Sequence, residues 1–268
     1  MHRVLDEDAT RTTYAASPAV SFMAETDGSA SLHLHYPVSD VTAGHHVRVS
    51  FLEVFLWRWN YLELGTEIWN EEDVSFQVIE ILDSELAAEL TTGELGAEKA
   101  PEVQRRRHFR VTFDNHGTYD VLAAEVVVEA GGQLANGDVF APDASFSFLT
   151  HGEDLPAIGL DYVTSGSASG RMKAAFDAVF DYRWCRVWLP PDVSGVAGER
   201  APGHLTEVAE SGWTERLLRT AAKYGYPLGD APGAARAKAD FRHFTISTPG
   251  GGFHDVVCLN ATATVAWP

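Results

Sequence analysis

Two histidines spaced as His-x-His could hold a transition metal. His33 and His35 fall in segment 31–37, which is predicted to be a strand, and alternate residues of a strand point to the same face. Imidazole is a preferred ligand of transition metals. We therefore expect His33 and His35 to be candidate ligands of a single divalent transition metal, and no other cofactor. The alternative is that both face solvent opposite the apolar Leu32 and Leu34.

The residues around this pair resemble the first motif of the cupin family, which combines a glycine, His-x-His and a following carboxylate. Gly28, His33, His35 and Asp40 supply these residue types here. The glycine spacing is one residue short, Asp stands where the motif has Glu, and the second cupin motif has no match. The resemblance implies a metal-dependent enzyme built around the two histidines.

An acidic run between residues 67 and 73 offers a second candidate site. Its carboxylates, Glu67, Glu71, Glu72 and Asp73, are the oxygen ligands that calcium prefers, but the spaced Asp-x-Asp-x-Asp-Gly loop of calcium sites is absent. A solvated loop is the favoured interpretation. As a functional alternative, these four side chains are the candidate contact for a basic protein partner.

The two cysteines suggest packing rather than catalysis. Cys185 and Cys258 each lie in a predicted strand between apolar neighbours, where a thiol is usually part of the core. His243 could approach either thiol, and the pair His254–Asp255 beside a glycine turn could orient a base. No local motif supports either arrangement, and no Gly-x-Ser-x-Gly nucleophile elbow is present.

The elements that would position these residues are mostly strands in the first half of the chain. Segments 19–26 and 31–37 flank a short turn and predict a hairpin. Segment 47–62 is apolar on both faces and predicts a central strand, bent once. Segments 107–113 and 118–129 flank an Asp-Asn-His-Gly turn that predicts a second hairpin. A strand at 75–82 and a helix at 84–91 lie between them.

The second half mixes both element types. Apolar spacing at 170–181 predicts a helix, followed by a strand at 183–189 that ends at two prolines. A second helix is predicted at 213–224, because a glycine and a proline follow it. Segments 240–248 and 253–267 predict a closing hairpin. No internal repeat at a fixed period is evident.

These elements define the predicted fold class: mainly β, with an α+β C-terminal part. After an N-terminal tail at 1–14, an antiparallel β-sandwich or small barrel is expected at 15–132. An α+β domain is expected at 138–268.

Composition excludes several functions. The chain has 268 residues, with 20 Lys+Arg, 38 Asp+Glu and a net charge of −18. So large a negative charge argues against nucleic-acid binding, which needs clustered cations. The longest apolar stretch is interrupted by polar residues, which excludes a membrane span. Two cysteines cannot form a disulfide framework, and without an export signal the expected location is the cytoplasm.

Three functional hypotheses follow. The first is a non-enzymatic, acidic intracellular protein that docks a protein partner, as immunity proteins and inhibitors do. The second is a self-assembling structural subunit, such as a phage or particle component, in which case the chain is a homo-oligomer. The third is the metal-dependent enzyme built around His33 and His35.

Overall fold

Strands dominate the structure. The computed structural model of the chain describes residues 2–5, 18–24, 29–37, 46–61, 77–92, 101–113, 116–131, 146–149, 156–163, 171–186, 205–208, 211–223, 241–248 and 252–266. Every pair of neighbouring strands in these ranges is antiparallel. The prediction of a mainly β, antiparallel protein is therefore confirmed.

The elements have the following bounds. The strands are β1 (His2–Leu5), β2 (Ala19–Ala24), β3 (Ala30–Pro37), β4 (His46–Leu52), β5 (Leu56–Asn60), β6 (Val78–Ile81), β7 (Arg107–Phe113), β8 (Gly117–Ala123), β9 (Glu125–Gly131), β10 (Phe146–Leu149), β11 (Ala157–Val163), β12 (Arg171–Cys185), β13 (Leu205–Val208), β14 (Arg242–Ser247) and β15 (Phe253–Ala266). The two longer helices are α1 (Glu85–Thr92) and α2 (Gly212–Lys223), and a further helical turn covers residues 101–104.

These strands form two sheets. The smaller sheet has the order β2-β3-β4-β9. The larger one has the order β1-β6-β7-β8-β5-β12-β15-β14-β13, and β10 and β11 join it through β12. Among the described strands neither sheet closes into a barrel. Aromatic side chains join the two sheets, because the ring of Phe22 on β2 lies 5.5 Å from that of Trp57 and 4.8 Å from that of Trp184.

Two strands change sheets at neighbouring points. The chain leaves β4 and enters β5 at Glu53, whose φ of 50° is in the left-handed region, and it leaves β8 and enters β9 at Ala124. The Ala124 N–H donates to the Leu52 carbonyl (3.1 Å), so the two crossing points are hydrogen-bonded. The predicted single bend in segment 47–62 is this change of sheet. Segment 118–129, predicted as one strand, is divided in the same way.

The predicted helix at 170–181 is wrong, because this segment is the first part of β12. Met172, Ala174 and Phe176 are buried, and the residues between them are exposed, which is the period of a strand. Ala178 has a φ of 53°, and the pairing register shifts just after it. This bulge inserts a residue into the alternation. The buried residues before and after the bulge are therefore spaced along the sequence as they would be on one face of a helix.

The structure contains an internal repeat that the sequence analysis missed. The first repeat runs from β2 to β9 and includes α1; the second runs from β10 to β15 and includes α2. Glu53 and Ala178, the two positive-φ residues other than glycine in the described part, occupy the same place in their repeats. In each case the next N–H donates to a carbonyl at the start of the facing strand. Val54 donates to Ala30, the first residue of β3, and Val179 donates to Pro156, the residue before β11, both at 2.9 Å.

The two repeats meet around a two-fold arrangement of strands. In the β5–β12 pair Arg58 lies opposite Arg183. A backbone hydrogen bond closes each end of this strand pair. The Tyr61 N–H donates to the Phe180 carbonyl (3.1 Å), and the Arg186 N–H donates to the Phe55 carbonyl (2.9 Å). The two-fold relation that exchanges Arg58 and Arg183 also exchanges these two bonds. One sheet therefore continues from the first repeat into the second.

Other predictions about the chain's organisation have mixed outcomes. The helices predicted at 84–91 and 213–224 and the hairpins β2–β3, β7–β8 and β14–β15 are confirmed. The predicted domain boundary between 132 and 138 lies outside the described residues, and the β5–β12 pair connects strands from either side of it. Within the predicted tail, residues 2–5 form β1. No helix in the described ranges is long and apolar enough to cross a membrane.

Candidate functional site: two buried Ser-His-Asp relays

A polar relay connects α1 to the sheet in the first repeat. Ser84 precedes α1, and its Oγ accepts the Ala87 N–H (2.9 Å), so it is the N-cap of the helix. Ser84 Oγ lies 2.8 Å from His108 Nδ1, and His108 Nε2 lies 3.0 Å from Asp120 Oδ1. A neutral histidine protonated on Nε2 satisfies every contact: serine donates to Nδ1, and Nε2 donates to the carboxylate.

The second repeat contains the same relay. Ser211 caps α2, since its Oγ accepts the Thr214 N–H (3.3 Å). Its Oγ lies 2.8 Å from His243 Nδ1, and His243 Nε2 lies 3.3 Å from Asp255 Oδ1. Histidine and aspartate are twelve residues apart in both relays.

Strand register brings the histidine and the aspartate together. His108 and Arg110 are alternate residues of β7 and share a face. Asp120 on β8 lies directly opposite Arg110, which places its carboxylate beside both side chains. Asp255 on β15 has the equivalent position opposite Thr245 of β14.

Each buried aspartate is neutralised by an arginine, supplied differently in the two repeats. Arg110 Nε donates to Asp120 (2.7 Å), whereas Thr245 replaces that arginine in the second repeat and Arg183 on β12 donates to Asp255 (2.8 Å). Burial alone would raise the pKa of each carboxyl. The arginine charge and the histidine hydrogen bond outweigh burial and lower both pKa values well below the ordinary value.

A third buried carboxylate lies where the repeats meet. Asp181 accepts hydrogen bonds from Arg58 (2.7 and 3.2 Å) and from the indole N–H of Trp213 on α2 (2.9 Å). Here burial dominates and raises the pKa of Asp181, against the opposing charge of Arg58. The guanidinium of Arg183 lies 4.9 Å from the centre of the Trp213 ring. This cluster therefore attaches α2 to the central strand pair.

The relays have the residue types of a serine nucleophile, but their geometry favours a structural role. The serine oxygen already accepts a helix N–H and lies within hydrogen-bond distance of the histidine. His108 and His243 are 5% and 1% exposed, so neither imidazole is open to solvent in this structure. Because such a relay holds a helix N-terminus against the sheet, we interpret both as supports of the fold.

The predicted metal ligands lie on β3, away from the relays. His33 Nδ1 is 2.9 Å from Ser50 Oγ, and the His35 ring stacks on that of His46 at 5.0 Å. Burial lowers the pKa of both His33 and His35, and nearby Arg48 lowers both further. In the described ranges no group of three or more His, Cys, Asp or Glu side chains could hold a metal ion. The metal site stays a prediction.

The other candidate residues from the sequence are the acidic run and the two cysteines. Glu67, Glu71, Glu72 and Asp73 lie outside the described residues, so their docking role also stays a prediction. Both cysteines are buried, and neither forms a disulfide. Cys258 donates to a backbone carbonyl two residues on (3.3 Å), and burial raises its pKa to about 12.

His243, considered as a possible partner of either thiol, bonds to Ser211 and Asp255. Sequence reasoning noticed His243 and Asp255 separately and missed Ser84, His108 and Asp120. The missed signal was a pattern that occurs twice in the sequence. Arg-His-Phe starts at residues 107 and 242, and in both places a glycine and an aspartate follow at the same spacing.

Comparison with known proteins adds no relative: no family model, no curated protein and no solved structure matches the chain.

Proposed function

We propose that this protein is a non-enzymatic, acidic docking module that binds a basic protein partner, in the manner of an immunity protein or inhibitor. The observation that carries the proposal is the net charge of −18 together with the internal use of the cations. A strongly negative surface attracts and orients a basic partner over long distances.

The described cations are largely committed to carboxylates within the fold. Those in ion pairs are Arg3, Arg48, Arg58, Arg106, Arg107, Arg110, Arg171, Lys173, Arg183 and Arg242. By contrast, Glu85, Glu125, Asp177 and Glu215 are exposed acids on four different elements. Paired cations contribute little to the outer field, so the excess acids dominate it.

The buried relays support the non-enzymatic part of the proposal. The serine, histidine and aspartate side chains with catalytic residue types are used in both repeats to attach a helix to the sheet. Two buried cysteines that form no disulfide suit a reducing compartment, which supports a cytoplasmic location. We further propose that the two sheets pack as a sandwich, since their aromatic side chains interlock.

A capture experiment tests the docking function. The immobilised chain should retain a basic partner from the cell extract of its source and release it as salt rises. A variant with Glu67, Glu71, Glu72 and Asp73 changed to the corresponding amides should lose most of this capture. A matched variant with amides at Glu85, Glu125, Asp177 and Glu215 removes the same charge and should retain it. Equal loss in both would show that total charge alone acts, and salt-insensitive capture by all three would contradict the acidic surface.

A further inference from the structure

The two repeats differ at one edge of the larger sheet. β6 in the first repeat and β13 in the second occupy equivalent positions beside β7 and β14. Each carries a glutamate held by two hydrogen bonds from an arginine: Glu80 by Arg107 (2.6 and 2.7 Å) and Glu207 by Arg242 (2.7 and 2.5 Å). Both arginines lie 4.8 Å from the centre of a phenylalanine ring.

In the first repeat this edge is covered by β1. Arg3 lies opposite Glu80 and Leu5 lies opposite Val78 in an antiparallel pair. The Arg3 guanidinium binds Glu80 Oε2, so one carboxylate accepts hydrogen bonds from two arginines. Leu5 packs against the main core. A basic residue and an apolar residue two positions later thus fit this edge.

In the second repeat no described strand covers the equivalent edge, because β13 ends the strand order. The exposure of equivalent side chains reflects this difference. The Glu207 side chain is 46% exposed and that of Glu80 is 9% exposed. Leu205 is half-buried, whereas the equivalent Val78 is buried.

We propose that the edge of β13 binds an extended segment of the partner protein as an added antiparallel strand. The segment has an arginine or lysine opposite Glu207 and, two residues later, an apolar side chain opposite Leu205. In such strand addition the backbone hydrogen bonds provide binding affinity for any sequence, and the side chains at alternate positions provide specificity. This inference rests on the proposed docking function and names its contact site.

Charge favours a basic partner over a second copy of this chain at this edge. Two β13 strands brought together would oppose acidic edges, since each carries an exposed Glu207. β1, which covers the equivalent edge in the first repeat, is held on its own β6 by the Arg3–Glu80 pair.

An NMR titration tests the site. The probe is a synthetic peptide containing His-Arg-Val-Leu between short Ser-Gly flanks, and its control has Glu in place of Arg. The Arg peptide should shift the backbone amide signals of residues 205–208 and bind at least about tenfold more tightly than the Glu peptide, because a charge-assisted pair is lost. Glu207→Gln should weaken binding by a similar factor, and Glu125→Gln, which removes a charge on β9, should leave it unchanged.

Four results would overturn the inference. One is equal binding of both peptides; another is shifts confined to residues outside β13. A third is amide exchange at 205–208 that is already as slow as at 78–81 in the free protein, which would show that the chain itself covers the edge. The fourth is self-association lost on Arg3→Glu, which would make a second copy the occupant. Because partner capture is measured separately, intact capture without peptide binding would reject the β13 site and leave the docking function standing.

Discussion

Arg58 and Arg183 lie opposite each other in the β5–β12 pair, at the position about which the two repeats of this chain are related. Their side chains nevertheless have different partners. Arg58 binds Asp181, and Arg183 binds Asp255. The backbone has therefore kept its two-fold arrangement while the buried charges have diverged, and each repeat still retains one complete Ser-His-Asp relay.

Removing the serine of a relay should destabilise the fold. Ser84→Ala deletes the N-cap of α1 and leaves His108 Nδ1 without its donor, so we expect a loss of about 1–2 kcal/mol in the free energy of unfolding. Urea denaturation measures it. Thr91→Ala in the same helix is the control, because that hydroxyl only donates to carbonyls of its own helix, and it should change stability by under about 0.5 kcal/mol. Equal effects of the two changes would argue against the relay.

Neutralising a buried aspartate should cost more than removing its serine. Asp120→Asn leaves Arg110 buried without its counter-charge, which typically costs about 3–5 kcal/mol. Asp255→Asn should behave in the same way through Arg183. Asp161→Asn, at a more exposed ion pair with Arg171, should cost under about 1 kcal/mol. Denaturation at pH 7 compares the three, and a loss at Asp161 as large as at Asp120 would contradict the account.

The two hairpin glycines should not tolerate a side chain. Gly117 and Gly252 have φ values of 87° and 85°, and an added Cβ would lie 2.2 and 2.5 Å from a backbone oxygen of the neighbouring strand. Alanine at either position should cost at least about 2 kcal/mol, since strain and overlap add. Gly159→Ala meets only the Ser147 hydroxyl and should cost less. Thermal unfolding ranks the three variants, and a Gly159→Ala loss equal to the others would refute the argument.

Stability should fall as the pH drops below neutrality because of His254. Burial lowers the pKa of His254 to about 3, and its Nδ1 lies 2.6 Å from the Tyr182 hydroxyl. The unfolded chain binds a proton near pH 6.5 and the folded one does not, so stability is lost as pH falls from about 6.5 towards 3. His254→Gln should flatten this dependence between pH 6.5 and 4.5. An unchanged dependence of stability on pH in this variant would show that a group other than His254 takes up the proton.

Local patterns predicted many of the elements. The Asp-Asn-His-Gly turn before β8 and the helices at 84–91 and 213–224 were predicted from the sequence, because each depends on a few adjacent residues. The helix predicted at 170–181 failed since Phe176, Val179 and Phe180 are all buried and have helical spacing. Only the bulge between Val179 and Asp181, which depends on the paired strands, reconciles that spacing with a strand.

The candidate site was harder to predict than the elements. Ser84, His108 and Asp120 lie on three elements and meet only through strand register. The repeat was hidden because the segments joining equivalent elements differ in length: Ser84 and His108 are 24 residues apart, and Ser211 and His243 are 32 apart. No single period therefore aligns the two halves.

The central claim is that this protein is a docking module and not an enzyme or a structural subunit. Native mass spectrometry of the freshly purified chain tests this claim most directly. We predict a metal-free species of one or two chains that gains the mass of its partner when the captured protein is added, and loses it at high salt. A stoichiometric transition metal that disappears on changing His33 and His35 to alanine would contradict the account in favour of a metal-dependent enzyme. A large, concentration-independent homo-oligomer would contradict it in favour of a structural subunit.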